Sequence, residues 1–292
     1  MRVGVALAQY DVDFAHGHVD ATAAIDYALA AEEAGLDSVW LSDHAFAVAT
    51  GACAAGAVDA APLAAAVAAR TTRIEVGTLV LSCAIRSPEE TAAIAAAIRS
   101  VAGPRATCGI GAGWNPVTHA ALGIHLGDYT DRAGRLGTTA ALVRGLEPRT
   151  RLLVGGWGEP VLAVAARLAD TWNLAWDVPP EAFRAVSARL DAVCEASGRD
   201  PRDVRRSTGV TVLVGETRAA CEASVAAVAG RASFLSGLRL ADVESRIVTG
   251  TPERCAEAIA AFGADEVVVT PFVRDDADLL AAISSDLAPL LR

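Results

Sequence analysis

Residues 37–46 read DSVWLSDHAF. Val39, Trp40 and Leu41 form an apolar run of strand length, and Ser42, Asp43 and His44 follow it at once. What this stretch is depends on what flanks it. Upstream, RVGVALA (2–8) is a β-prone run. ATAAIDYALAAEEAGL (21–36) then carries apolar residues at helical spacing, with Gly35 placed as a C-terminal cap. Downstream, APLAAAVAART (61–71) reads as a helix, and RIEVGTLVLS (73–82), rich in Ile, Val and Leu, reads as a third strand. The order is strand, helix, strand, helix, strand.

The alternation continues to the end of the chain. SPEETAAIAAAIRSVAG (87–103) has a Ser87 cap, Pro88 at the first helical position and acids in the first turn. ATCGIGAG (106–113) is a fourth strand ending in glycines, followed by the helix TDRAGRLGTTAALVRGL (130–146). RLLVGG and EPVLAVAARLA, then DTWNLA and PEAFRAVSARLDAVCEAS, add two strand–helix pairs. STGVTVLVG (207–215) is the seventh strand, with TRAACEASVAAVA after it. TGTPERCAEAIAAFG, DEVVVTPF (265–272) and DADLLAAISSDLAPLL supply a helix, the eighth strand and a tail helix. Eight apolar strands alternating with helices, without a polar linker or a break in composition, predict an α/β protein with a parallel sheet wrapped by helices. A count of eight in a chain of this length favours closure. The expected fold is a single (β/α)8 TIM barrel spanning residues 1–292 as one domain.

Composition narrows the function. The 292 residues are 53% hydrophobic and 21% charged, as in a globular protein with a sizeable core. A formal net charge of -10 gives no long-range attraction to polyanions, so neither nucleic acid nor an anionic membrane surface is an expected partner. All 25 basic residues are Arg, which excludes Schiff-base chemistry, a P-loop lysine and pyridoxal-phosphate attachment. The six cysteines, at 53, 83, 108, 194, 221 and 255, include no CxxC and have no histidine at ligand spacing, so no metal site is expected. They read as scattered reduced thiols. No leader-like start and no run near the ~20 apolar residues of a membrane span is visible, which sets cytoplasmic location as the expectation.

In such a barrel, ligands meet the C-terminal ends of the strands. Those ends are Ala8-Gln9-Tyr10, Ser42-Asp43-His44, Ser82-Cys83, Gly111-Ala112-Gly113-Trp114-Asn115, Gly155-Gly156-Trp157-Gly158, Asn173 to Trp176, and Thr270-Pro271. Glycine lets a ligand approach the backbone, and tryptophan offers a flat face to a planar ring. GGWGEP (155–160) and TGTPERC (249–255) each set a turn before a helix, where free N–H groups and the helix dipole favour an anion. A planar, phosphate-bearing cofactor suits these ends. His44 carries two readings, a histidine satisfied at a strand end or a donor presented to a reacting group. His16, His18, His119 and His125 fall in loops or helices and are expected as solvent-exposed bystanders. GIGAGWN lacks the GxGxxG spacing, and neither GxSxG nor HExxH is present, so Rossmann, serine-hydrolase and zincin readings have no support.

The stretches ALAAEEAGLDSVWLSDHAF, PLAAAVAARTTRIEVGTLVL, IRSPEETAAIAAAIRSVAGPR, GIGAGWN, LLVGGWGEPVLAVAARLADTWN and TGTPERCAEAIAAFGADEVVV, taken in this order, resemble the bacterial luciferase-like monooxygenase superfamily. Within it they look most like the branch that uses the deazaflavin coenzyme F420. The resemblance implies a luciferase-like (β/α)8 barrel that binds reduced FMN or coenzyme F420 at its C-terminal face. It implies further that Asp43 and His44 are the pair whose histidine faces the central ring, with Ser42 or Asp43 orienting it. Thr78 to Leu81, including Leu79 and Val80, match the segment backing the ring, often through a non-proline cis peptide at the place of Leu79-Val80. Gly111, Ala112 and Gly113, with Trp114 and Asn115 following, match the turn beside the cofactor's side chain. Gly155, Gly156, Trp157 and Gly158 match the phosphate-holding turn, and Trp114 and Trp157 would wall the pocket.

The implied function is an F420-dependent oxidoreductase acting on a small molecule, with hydride passing to or from the deazaflavin; relatives are commonly homodimers. Two alternatives stand beside it, a reduced-FMN monooxygenase served by a partner reductase and a non-catalytic flavin-binding barrel. Three departures from the family pattern are visible. RGLEPRTRLLVGG passes almost directly from helix to fifth strand. Trp114 and Asn115 stand where F420-dependent sugar-phosphate dehydrogenases carry an acid. The loop FAVATGACAAGAVDAAP is small and apolar where relatives often place larger substrate-contacting residues, so a phosphorylated sugar is not the expected substrate.

Overall fold

The structure, a computed structural model, describes residues 1–14, 17–44, 46–49, 52–229, 235–273 and 277–292. Its strands are β1 (Arg2–Ala6), β2 (Ser38–Leu41), β3 (Phe46–Ala49), β4 (Ala52–Gly56), β5 (Glu75–Thr78), β6 (Leu81–Ser82), β7 (Ala106–Gly111), β8 (Arg151–Gly155), β9 (Thr171–Ala175), β10 (Arg205–Val214), β11 (Val248–Gly250) and β12 (Glu266–Pro271). The helices are α1 (Ala21–Glu33), α2 (Ala60–Arg70), α3 (Pro88–Ala102), α4 (Pro116–Ala121), α5 (Tyr129–Leu146), α6 (Glu159–Leu168), α7 (Pro180–Ala196), α8 (Arg218–Ala229), α9 (Leu240–Val243), α10 (Pro252–Ala260), α11 (Ala277–Ala282) and α12 (Ala288–Leu291). β1, β2, β5, β7, β8, β9, β10 and β12 pair in parallel, each with the next, and β12 returns to β1. The barrel is closed, as the alternation predicts. No described helix is long and apolar enough to cross a membrane.

Strand alternation builds two cores. Val3, Val5, Val39, Leu41, Val76, Ile110, Leu152 and Val154 point outward and meet the helices in one large cluster. The intervening residues point inward and fill the barrel in layers. At the N-terminal end, Glu75 and Glu266 are buried among Arg2, Arg151, Ser38 and Thr107: Arg2 and Arg151 reach Glu75 at 2.8 and 2.9 Å, and Ser38 Oγ donates to Glu266 at 2.7 Å. Above this layer lies Trp40, packed with Ala6, Leu79, Leu153 and Val268. Its indole N–H donates to Ser38 Oγ at 2.8 Å. A side chain at position 77 would place its Cβ 2.4 Å from that indole ring, so the glycine there makes the room Trp40 occupies.

Two elements differ from the sequence expectation. RIEVGTLVLS does not run as one strand: β5 ends at Thr78, the Leu79–Val80 peptide is cis, and β6 resumes at Leu81 to pair with β7. FAVATGACAAGAVDAAP is not wholly loop, because β3 and β4 form an antiparallel hairpin within it. Ser87 caps α3 as expected, with Glu90 completing a reciprocal capping box. Cys83, Cys108, Cys194, Cys221 and Cys255 are buried free thiols, and burial pushes Cys83 up to about 11 and Cys108 up to about 12.

Candidate active site

One cavity of about 380 Å3 opens at the C-terminal mouth of the barrel. Most of the expected site residues line it: Asp43, His44, Leu79, Val80, Gly111, Ala112, Gly113, Trp114, Asn115, Gly155, Gly156 and Trp157. Ser42, Thr78 and Gly158 do not. Ser42 is tied through its backbone to Gln9, whose side-chain amide accepts from Ser42 N at 2.7 Å and donates to Ser42 O at 2.6 Å. Thr78 faces away, its hydroxyl clasping the backbone of Gly109 by one bond given and one accepted. At Gly158 an added Cβ would fall 1.8 Å from the Tyr129 hydroxyl, so this glycine seats a wall residue and stays behind it.

The floor is the interrupted third strand. Where the chain leaves the ladder, Leu79 and Val80 turn towards the cavity, and Val80 settles against Gly111, whose missing Cβ would meet it at 2.6 Å. The result is an apolar surface. On one side stands His44, half-buried, with its ring edge-on to Trp114 at a centroid distance of 6.2 Å. Trp114 and Trp157 are 69% and 63% exposed, large rings left open to the mouth and therefore available to pack on a ligand. Trp176 closes another side, held at a φ of 62°, a left-handed conformation uncommon for a bulky residue.

Asp43 has a different task from His44. Both of its carboxylate oxygens are engaged: Arg86 binds them at 2.9 and 2.7 Å, and Ser82 N donates to Oδ2 at 2.9 Å. Asp43 therefore ties the end of β2 to β6 and to the start of α3. Arg86, held also by Asp59, has its guanidinium pKa pushed further up, chiefly by the hydrogen bond to Asp43. Asn115 is likewise occupied in part. Its Oδ1 caps α4 by accepting from Val117 and Thr118.

The glycine turn 155–158 opens onto α6, whose Gly158 N-cap offers no side-chain acceptor to the first-turn N–H groups. Arg132 and Tyr129, neither anticipated, line the cavity beside this turn, the Arg132 guanidinium lying 5.8 Å from the Tyr129 ring centroid. TGTPERC is elsewhere: its turn and the start of α10 line a separate surface pocket with Gly215 and Arg218. His18 and His125 are exposed, as expected, and His16 lies outside the described residues. His119 departs from expectation, since it is 2% exposed and lines the cavity. The Asn115-Pro116 pair, a cap followed by proline, is the sequence signal that would have placed a helix start, and with it Thr118 and His119, at the mouth.

Residues 1–268 match the model of the luciferase-like monooxygenase family. The chain belongs to this family. Among curated luciferase-like proteins and their kin it is similar to the F420-dependent glucose-6-phosphate dehydrogenase of Kineococcus radiotolerans, 35% identical over 134 residues, 45% of this chain and 38% of that one. It is similar to the enzyme so named from Amycolatopsis mediterranei at 36% over 124 residues, 42% of this chain and 36% of that one. The chain spans under two fifths of the length of these curated relatives. An F420-dependent secondary alcohol dehydrogenase in complex with an F420-acetone adduct superposes with a TM-score of 0.81 at 15% identity, over 100% of this chain and 99% of that one. That likeness establishes the shared barrel.

Proposed function

We propose that the protein is an F420-dependent oxidoreductase that moves a hydride between the deazaflavin and a carbon of a small organic substrate. The observation that carries this reading is one cavity that joins an apolar floor, an imidazole at its edge and a helix start without a side-chain cap behind a glycine turn. The residues fit such a group. Leu79 and Val80 would back the planar ring, and Gly111 lets Val80 take that place by leaving the room a Cβ would fill. The turn 155–158 and the first-turn N–H groups of α6 would hold the phosphate, with Arg132 adding the cation. Similarity to two F420-dependent dehydrogenases supports the choice of cofactor.

Bound there, a deazaflavin supplies the hydride-accepting or hydride-donating carbon. The protein supplies orientation, exclusion of water and control of protons. His44 is the group at the ring's edge able to hold a proton or a hydrogen bond as charge shifts. Asp43 acts as a positioning residue, fixing the backbone that carries His44 through its clamp on Arg86 and Ser82. The exposed rings of Trp114 and Trp157 would cover the reacting atoms. In the test, protein is mixed with oxidised F420 and a panel of alcohols, or with reduced F420 and the corresponding ketones, and the deazaflavin absorbance is followed. Turnover with F420 supports the reading. Oxygen-dependent turnover with reduced FMN alone would replace it with the monooxygenase.

A further inference from the structure

Alternation along β9 sends Trp172 and Leu174 outward into the cluster beneath the helices, and Trp176, two residues on, would follow them if the strand continued. The chain breaks that pattern. Trp176 and Asp177 both take left-handed backbone, with φ of 62° and 54°, and the indole turns back over the mouth of the barrel. There it packs against the inner group formed by Ala6, Trp40, Leu79, Leu153 and Val268. β10 leaves room for it. Gly209 lies in register between Ala175 and Val268, and a Cβ at this position would fall 2.8 Å from the indole ring. Trp176 N donates to Gly209 O at 3.1 Å, which ties the turn to the same strand. Two consecutive left-handed residues, neither of them glycine, are costly and persist only where the surroundings impose them. The ion pair of Asp177 with Arg246 is exposed on both sides and adds little, so the packing of the indole is what holds the turn.

The shape of the cavity agrees with this placement. Its lining runs round the mouth from the end of β2 to the end of β9, and among the described residues β1, β10 and β12 contribute nothing to it. Those three strands are neighbours, and Gly209, against which the indole lies, belongs to them. We propose that Trp176 is a specificity-determining residue, a plug across the barrel mouth that keeps a ligand on the β2–β9 side and limits the length of substrate that fits there. The reaction in which this matters rests on the F420-dependent reading above, whereas the plug is a property of the protein alone. Without the ring, the cavity would join the space above Trp40 and Val268, where an extended apolar chain could lie. Glycine adopts the backbone of position 176 without strain, so Trp176→Gly removes the ring and leaves the turn its conformation.

Two measurements test the plug and its consequence. In the first, the natural protein and Trp176→Gly, both without cofactor, are titrated with indole by calorimetry. The variant is expected to bind indole about tenfold more tightly or better, because an apolar space of that shape accepts an apolar guest. Equal affinities, or no binding to either protein, would overturn the plug. In the second, F420-linked oxidation of 2-octanol and of 2-propanol is compared through kcat/KM. The preference for the longer alcohol is expected to rise about tenfold in Trp176→Gly and about threefold in Trp176→Phe, which keeps a smaller ring and serves if the glycine variant does not fold. Rates that fall in equal proportion for both alcohols would make Trp176 a structural residue and overturn its role in specificity. If the natural protein turns over F420 with no alcohol, the cofactor reading fails, and the indole titration alone decides the plug.

Discussion

The two ends of this barrel are built from different chemistry. At the N-terminal end the carboxylates of Glu75 and Glu266 are enclosed, yet each has partners, in Arg2, Arg151, Thr107 and Ser38. At the C-terminal end the rim is aromatic and open, with Trp114 and Trp157 largely exposed beside the cavity. Trp40 separates the two ends. The contrast teaches how to read the two ends: paired carboxylates secure the closed end, whereas exposed aromatic faces around a cavity leave the other end open to a ligand.

Removing the divider gives the largest effect. Trp40→Ala should cost about 3–5 kcal/mol, because the cavity left between Gly4, Gly77 and Leu153 cannot collapse. Urea denaturation followed by circular dichroism measures it, and a cost below 1 kcal/mol would show that the plug is dispensable. His44→Ala, at the open end, should lower turnover about a hundredfold and leave the denaturation midpoint in place. Should stability fall with activity, the histidine belongs with the structural groups.

Arg86→Ala probes a group that shares both characters. It strips Asp43 of its ion pair, leaving a buried carboxylate with Ser82 N as its remaining partner, at a cost of about 2 kcal/mol. The same change should slow turnover by about tenfold through displacement of His44, a coupling that the paired variant Asp43→Asn/Arg86→Met should reduce. The smallest effect belongs to the N-terminal end. Burial first, and then the charge of Glu75, raise the Glu266 pKa above the usual carboxylate value. A carboxyl that holds its proton more tightly when folded contributes its full stability below the unfolded value, about 4.3, and loses it as pH climbs through the folded value. Melting curves from pH 4 to 7 should therefore fall less for Glu266→Gln than for the natural protein; parallel curves would contradict the assignment.

The barrel was legible because its strands are apolar runs and its helices begin with strong signals such as Ser87-Pro88-Glu89-Glu90. Which residues point inward was not legible, because Val39, Trp40 and Leu41 form one apolar run and packing alone separates Trp40 from its neighbours. The break at Leu79–Val80 was visible only through family likeness, since the apolar run of 73–82 shows no interruption of its own. The hairpin Phe46–Gly56 escaped because its Ala- and Gly-rich residues carry no period-two contrast. His119 escaped for another reason: a histidine in a six-residue helix has no periodic signature, and only packing against the mouth buries it.

The central claim is that the mouth cavity is a deazaflavin site. Titrating the protein with coenzyme F420 and, separately, with FMN, while following quenching of each cofactor's fluorescence, tests it most directly. The account predicts saturable binding of F420 that is tighter than that of FMN. Saturation by FMN with no response to F420, or no binding of either, would contradict it.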